Sequence, residues 1–211
     1  MKKTGFKQVY DILFAKYGVC RCPLKHETPF QLLMAVMLSA QCRDDRVNEV
    51  TPELFRRFPT PFEMAKASPE EVARIVHTLG LYRNKSRNMV ACAQLLVQKF
   101  GGAVPSSMEE LSSLPGVGRK SANVILGDAF GIPGFPVDTH VNRVLNQLGL
   151  VHSRVPEKIE RAVNNALKPG YWINFSHVLI LHGREICHAG HPECESCPLA
   201  GLCKSSGSRS R

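Results

Sequence analysis

Leu114-Pro115-Gly116-Val117-Gly118-Arg119-Lys120 is the stretch on which the fold turns. It lies between two segments that read as helices. Ser107-x-x-Glu110 caps a short one, and Arg119 to Phe130 makes the next. So tight a connection needs backbone freedom, which Gly116 and Gly118 can supply. The amides of the turn and of the following helix's first turn point outward, where they can hold a phosphate.

Working outward, the rest of the chain also reads as helix. From Phe6 the apolar residues Phe6, Val9, Tyr10, Leu13, Phe14 and Tyr17 recur at helical spacing, and Gly18 ends the run. Thr28-Pro29 opens FQLLMAVMLSAQ, which is apolar on every side and so suits a central buried helix. Ser68-Pro69-Glu70-Glu71 combines an N-cap, an N1 proline and a capping box, and starts a helix that Gly80 stops. Another runs from about Lys85 to Phe100 and ends at Gly101-Gly102. Asp138 stands at an N-cap position before THVNRVLNQL, with Gly149 just past the end, and Pro156 and Tyr171 each lie near the start of a further amphipathic stretch. There is no period-two run and no internal repeat. The expected fold class is all-α, with only the tail from Lys204, KSSGSRSR, disordered.

The two helices joined by LPGVGRK form a helix–hairpin–helix pattern, which grips a DNA backbone without reading its sequence. Composition agrees. Lys and Arg outnumber Asp and Glu 27 to 18, giving a formal net charge of +9, and such an excess favours a polyanionic partner. On charge alone a merely soluble basic protein remains the alternative. No apolar run reaches membrane-span length, so no membrane role is expected.

Near the C-terminus Cys187, Cys194, Cys197 and Cys203 follow the spacing C-x6-C-x2-C-x5-C, within 17 residues. Both zinc and an iron–sulfur cluster accept four Cys ligands. Structural zinc more often uses two CxxC-type knuckles, and only Cys194 and Cys197 form a close pair here, so the spacing favours [4Fe–4S]. Disulfides fit poorly, because no signal peptide is visible and a cytoplasmic, reducing location is expected. Cys20, Cys22, Cys42 and Cys92 have no ligand spacing and read as ordinary thiols.

Two further residues carry chemistry. Lys120 falls in the first turn of its helix, against the positive end of the dipole, which disfavours the ammonium form and favours the neutral amine a nucleophile requires. The alternative is a phosphate contact like that of Arg119. Asp138, in Val137-Asp138-Thr139-His140-Val141-x-Arg143, lies 18 residues beyond Lys120. It can be a plain N-cap, or a cap that also offers an oxygen to a substrate.

Taken together these segments resemble the endonuclease III family of DNA glycosylases. LLMAVMLSAQ, TLGLY, LPGVGRKSANVIL, VDTHVNRV, LILHGREIC and the four-cysteine spacing occur in family order over nearly the whole chain. The resemblance implies a two-lobed fold. A six-helix domain carrying the helix–hairpin–helix (residues 22–131) would face a discontinuous helical domain (residues 1–21 and 132–211) whose loop at 187–203 holds a [4Fe–4S] cluster, with the substrate cleft between them. It makes Lys120 the nucleophile, Asp138 the catalytic aspartate, and Cys187, Cys194, Cys197 and Cys203 the cluster ligands. Gln41, Leu81, Gly116, Gly118, Arg119, His140 and Arg143 become the DNA-contacting residues, with Gln41 filling the hole left by the flipped base and Leu81 wedging the opposite strand. Their bland alternatives are a helix-end polar residue and an ordinary apolar loop residue.

The implied activity is that of a bifunctional glycosylase and abasic-site lyase in base excision repair. It would act as a monomer on double-stranded DNA and remove oxidised pyrimidines. Two departures stand out. The loop between Cys187 and Cys194 reads HAGHPE, where relatives commonly carry Arg or Lys before the proline, and LSAQ is followed by Cys42-Arg43-Asp44, where small residues or threonine are usual. Two rivals remain on the residues. A monofunctional mismatch glycosylase would lack a lysine at position 120, and a non-catalytic DNA-binding or electron-transfer iron–sulfur protein would have no use for Lys120 together with Asp138.

Overall fold

The computed structural model describes residues 5–206, and every regular element among them is helical, as the all-α reading expects. The α-helices are α1 (Phe6–Tyr17), α2 (Pro29–Ser39), α3 (Asp44–Arg57), α4 (Pro61–Lys66), α5 (Pro69–Val76), α6 (Tyr82–Phe100), α7 (Met108–Ser112), α8 (Arg119–Phe130), α9 (Thr139–Leu148), α10 (Pro156–Ala166) and α11 (Trp172–Glu185). None of them is long and apolar enough to cross a membrane. The chain divides into two units. Cys22–Ile132 form one, and the described residues of Met1–Arg21 and Pro133–Arg211 form the other.

The unit of α2–α8 is built around α2. Every residue from Leu32 to Leu38 is buried, because that stretch holds no polar side chain to turn toward water. Thr28 fixes its start, with Oγ1 accepting from the Gln31 amide at 3.2 Å, and Pro29 takes the first helical position. Helices α3, α6 and α8 pack on α2, and α4 and α5 pack on α6, enclosing Leu33, Met34, Leu54, Met89 and Leu96 completely. This unit has seven helical segments, one more than the six the resemblance implies. The sequence reading missed two of them. In α3 the interior Pro52 and eight charged or amide side chains hide the apolar face of Val47, Thr51 and Leu54. In α4 the run is a mere six residues, held by a capping box between Thr60 and Glu63.

Helix α5 begins as read but ends at Val76 rather than at Gly80, and α6 begins at Tyr82 rather than near Lys85. The capping box of α5 is complete. Ser68 Oγ accepts from the Glu71 amide at 3.2 Å, and the Ser68 amide donates to Glu71 Oε2 at 2.8 Å. Those hydrogen bonds hold the Glu71 carboxyl below its ordinary pKa. Its contribution is therefore present above the ordinary carboxylate range and is lost as pH falls through the lowered value. Ser68→Ala is expected to destabilise the protein by about 1 kcal/mol, seen as an earlier urea midpoint with unchanged slope.

In the second unit α11 packs against α9 and α1. Phe175 is its aromatic centre, with Tyr10 edge-on and Phe135 tilted, both at 5.8 Å between ring centroids, and Val9, Leu13 and Leu179 fill the remaining space. Asn174 ties the end of α1 to α11 by accepting from the Cys20 amide at 2.7 Å and donating to Gly18 O at 3.3 Å. The expectation of a disordered tail from Lys204 needs correction for its first residues. Lys204, Ser205 and Ser206 form a turn in which Ser205 Oγ donates to Gln147 O and Ser206 Oγ to Ala200 O and Cys203 O. The rest of that tail lies outside the described residues.

Candidate functional site

Helices α7 and α8 are joined by a turn anchored from below. Leu114 and Val117 are buried, the Leu114 amide donates to Leu111 O, and the Val117 amide donates to Leu114 O, each at 3.1 Å. Gly116 adopts φ 78°, and a Cβ there would stand 3.0 Å from Asn88 Cβ, Asn88 Nδ2 and Met37 Cε. It is glycine for two reasons, conformation and crowding. Gly118 differs from the sequence reading. Its φ of −92° is open to any residue, and no atom lies within 4 Å of where its Cβ would be. Backbone strain therefore does not explain it, but the open space at the N-terminus of α8 does, because a ligand can reach the backbone there. No side chain caps α8, which leaves its first-turn amides available to an anion, and Arg119 and Lys120 are exposed in that turn.

In the same unit Gln41 and Leu81 are the two non-glycine residues with positive φ among those described, at 55° and 59°. Left-handed backbone costs a residue with a side chain about 1–2 kcal/mol, so something must hold each in place. For Gln41 the holder is Lys85. Its ammonium is buried beneath the end of α2, donating to Leu38 O at 2.8 Å and approaching Cys42 Sγ at 3.1 Å, and so clamps the chain on both sides of residue 41. The Cys42 amide closes the turn onto Ser39 O at 3.1 Å. Leu81 caps α6 through its carbonyl, which accepts from the Lys85 amide at 3.0 Å. Its side chain is 55% exposed although large and apolar. The two turns adjoin, since the Cβ position of Gly80 lies 3.8 Å from Cys42 Sγ and 4.0 Å from Gln41 O. The structure thus brings together two strained, exposed side chains that lie 40 residues apart in sequence.

Asp138, in the other unit, is the N-cap of α9, with Oδ1 accepting from the Val141 amide at 2.8 Å. Arg143, on the same helix, donates through Nε to Cys187 O at 2.9 Å and through a terminal nitrogen to Gly183 O at 2.7 Å. That nitrogen also stands 3.1 Å from His140 Nδ1. The guanidinium thus fastens α9 to the end of α11 and to the first cysteine of the loop. The close approach requires glycine at 183, where a Cβ would fall 2.9 Å from His140 Cβ and 3.2 Å from the Arg143 guanidinium. Burial lowers the His140 pKa, with the Arg143 charge adding to the effect and Asp138 opposing it. In the HAGHPE loop His188 Nε2 lies 3.7 Å from Glu193 Oε1.

Cys187, Cys194, Cys197 and Cys203 line one cavity, together with Val144, Leu199 and His182. All eight cysteines are thiols. Burial raises the pKa of Cys187 and Cys197, and the neighbouring cysteine sulfurs raise both further. Thiols whose ionisation is hindered in this way suit a cationic core, which reverses the effect. Among the described residues no three His, Cys, Asp or Glu side chains converge on a single-ion site. A tetrahedral zinc would draw its four sulfurs to about 3.8 Å of one another. Four cysteines that line one cavity without converging as a single-ion site suit a multi-atom iron–sulfur core better than one ion. The sequence reading missed His182, five residues before Cys187 in LILHGREIC. It is almost wholly buried with Nε2 3.6 Å from Cys197 Sγ, and burial pushes its pKa down to about 4, so it stands neutral beside the sulfur.

Comparisons with known proteins agree with this arrangement. Residues 34–169 match the HhH-GPD superfamily base excision DNA repair protein family, and residues 187–203 match the iron–sulfur binding domain of endonuclease III. The chain is 45% identical over 205 residues to Endonuclease III of Synechocystis sp., covering 97% of this chain and 94% of that one. It superposes on the solved structure of a trapped Endonuclease III–DNA covalent intermediate with a TM-score of 0.93 at 39% identity, over 99% of this chain and 100% of the other. A thermostable thymine-DNA glycosylase shares the fold, with a TM-score of 0.84 at 21% identity over 96% and 97% of the two chains. With its helix–hairpin–helix, its four-cysteine iron–sulfur loop and relatives matched over almost its full length, the chain belongs to the endonuclease III family of base excision repair enzymes and is a DNA glycosylase and abasic-site lyase.

Proposed function

We propose that this enzyme removes oxidised pyrimidines of the thymine glycol type from double-stranded DNA through a Schiff base on Lys120, and cleaves the strand 3′ of the site by β-elimination. The observation that carries this reading is the turn at residues 114–120, where an exposed lysine sits in the first turn of an uncapped helix, directly behind an open glycine. Phosphate oxygens of the damaged strand bind the amides at Gly116 and Gly118 and the Arg119 side chain. The damaged nucleotide must leave the stack, because its C1′ is unreachable within it. Gln41 occupies the gap, and Leu81 enters from the opposite strand. The two strained turns serve this role by aiming both side chains outward.

Asp138 keeps one oxygen on the Val141 amide while its negative charge stabilises the cationic sugar, and it helps take the proton from the amine. The Lys120 nitrogen forms a bond to C1′ as the C1′–N bond to the base breaks, and the base departs with that electron pair and a proton. Ring opening gives the iminium. Loss of the C2′ hydrogen as a proton then sends its electrons into a new double bond and breaks the C3′–O bond to the phosphate. Cys187, Cys194, Cys197 and Cys203 would hold a cluster of the [4Fe–4S] type, which organises the loop, and no step of the reaction passes through it. The enzyme works in the cytoplasm as a monomer.

A panel of duplexes carrying thymine glycol, an abasic site or 8-oxoguanine tests the substrate assignment. Base release with strand cleavage is expected on the first and cleavage on the second. Preference for 8-oxoguanine over thymine glycol would contradict the assignment. Gln41→Ala and Leu81→Ala should each slow turnover on damaged duplex more than on the same lesion in a single strand, since unstacking costs a few kcal/mol only in the paired state. Equal losses on both substrates would remove the two residues from base flipping.

A further inference from the structure

A second basic surface is built in part from the residues that follow Leu81 in the chain. Arg74 on α5 and Arg83 and Arg87 on α6 line an open depression of about 630 Å3, together with His77, Tyr82 and Glu70. The three arginines and His77 are exposed, and three guanidiniums line the hollow with the single carboxylate of Glu70, while Glu71, engaged in its capping box, lies close enough for Arg74 to lower its pKa. Arg83 and Arg87 are four residues apart on α6, so they share a face at about 6 Å along the axis. The Arg83 guanidinium lies over the Tyr82 ring, 5.4 Å from its centroid, which limits the directions it can take. His77 Nδ1 donates to Arg74 O at 2.8 Å.

The contrast with α3, in the same unit, is informative. There three exposed arginines, at its N-cap and along it, each have a carboxylate at close range. Arg43 lies 2.7 Å from Asp45, Arg46 2.7 Å from Glu49, and Arg56 2.6 Å from Glu53. A solvated helix face built in that way neutralises itself. The α5–α6 groove instead gathers positive charge around a shared hollow, in a chain whose formal net charge is already +9. A polyanion suits such a surface, and Tyr82, which lines the groove, directly follows the exposed Leu81 in the chain.

We propose that the Arg74–Arg83–Arg87 groove binds backbone phosphates of the undamaged strand, the strand that Leu81 enters, and so holds that strand while the lesion strand is worked on by the helix–hairpin–helix. This rests on the reading of Leu81 as the wedge in damaged duplex. The contacts carry no sequence information, because guanidinium–phosphate pairs position a duplex without reading it. They contribute to affinity through counterion release, and so they show in its salt dependence.

The test compares wild type with an Arg74→Gln/Arg83→Gln/Arg87→Gln variant, whose substitutions are all at exposed positions, on a duplex carrying a stable abasic analogue. Kd is measured over a series of salt concentrations. The log K versus log salt slope of the variant is expected to be shallower by about 0.9 for each phosphate lost, about 2.7 if all three bind. In a second arm the linkages of the undamaged strand near the lesion are made uncharged with methylphosphonates. Wild type should then fall to the affinity of the variant, and the variant should scarcely change. Methylphosphonates in the lesion strand should instead weaken both proteins alike. A wild-type slope in the variant, or losses from variant and undamaged-strand linkages that simply add, would overturn the proposal. Failure of the wild type to prefer the abasic-analogue duplex over undamaged duplex would refute the repair reading itself, which the groove variant does not address.

Discussion

Lys120→Ala is expected to abolish the borohydride-trapped protein–DNA adduct and strand cleavage while leaving duplex binding nearly intact. Lys120 is exposed in the first turn of α8 and outside the buried core, so its replacement removes the proposed nucleophile while the core beneath the turn stays intact. In the proposed mechanism the phosphate grip belongs to the backbone of the turn and to Arg119, which survive the substitution. Asp138→Asn separates the chemistry from the cap in the same way. Asparagine caps a helix about as well as aspartate, so α9 and its bond from the Val141 amide should persist. What is lost is the charge. Base release should slow by about 10²- to 10⁴-fold, the range for a positioned acid–base group, or about 3–5 kcal/mol in the barrier. Single-turnover assays on a thymine glycol duplex check both. An Asp138→Asn variant with normal rates would confine this residue to capping.

The second large effect concerns the cysteine loop. Between residues 187 and 206 Leu199 is the one hydrophobic side chain buried in the unit's core, and Cys187, Cys197, Leu202 and Cys203 lie at its edge. Too little apolar surface is buried there to order some twenty residues, so the loop must be held by what the sulfurs bind. Cys194→Ser leaves three soft ligands. It is expected to lose the visible sulfur-to-iron absorption and to yield poorly folded protein, a loss comparable with the 5–15 kcal/mol that keeps a domain folded. Iron content, absorption and limited proteolysis of the variant measure this. Wild type isolated without oxidation but containing zinc and no iron would contradict the cluster assignment directly.

The parts of this molecule that were legible in its sequence are those whose local signals and tertiary demands coincide. α2 could be read because an unbroken apolar run has nowhere to go but the core. Asp138, Ser68 and Ser107 were legible as caps because the side chain that starts each helix also satisfies its first amides. The four cysteines announced themselves by spacing. Where tertiary contacts override local preference, the sequence misleads. The interior Pro52 argues against α3, yet a docked face of Val47, Thr51 and Leu54 holds the helix together. Gly80 looks like the stop of α5, but the chain turns three residues earlier because Leu81 must cap α6 in a left-handed conformation that no local signal requests. Gln41 is strained for a reason 44 residues away, the buried ammonium of Lys85. His182 reads as one more residue of an amphipathic helix, and only the folded chain sets it against Cys197.

The central claim, that Lys120 is the nucleophile, is tested most directly by finding the atom that carries the substrate. Wild-type protein is trapped with borohydride on a thymine glycol duplex, digested, and the modified residue located by mass spectrometry. The account predicts a reduced sugar adduct on the side-chain nitrogen of Lys120. An adduct on another lysine or on the N-terminal amine, or no covalent adduct on a duplex that is nonetheless cleaved, would contradict it.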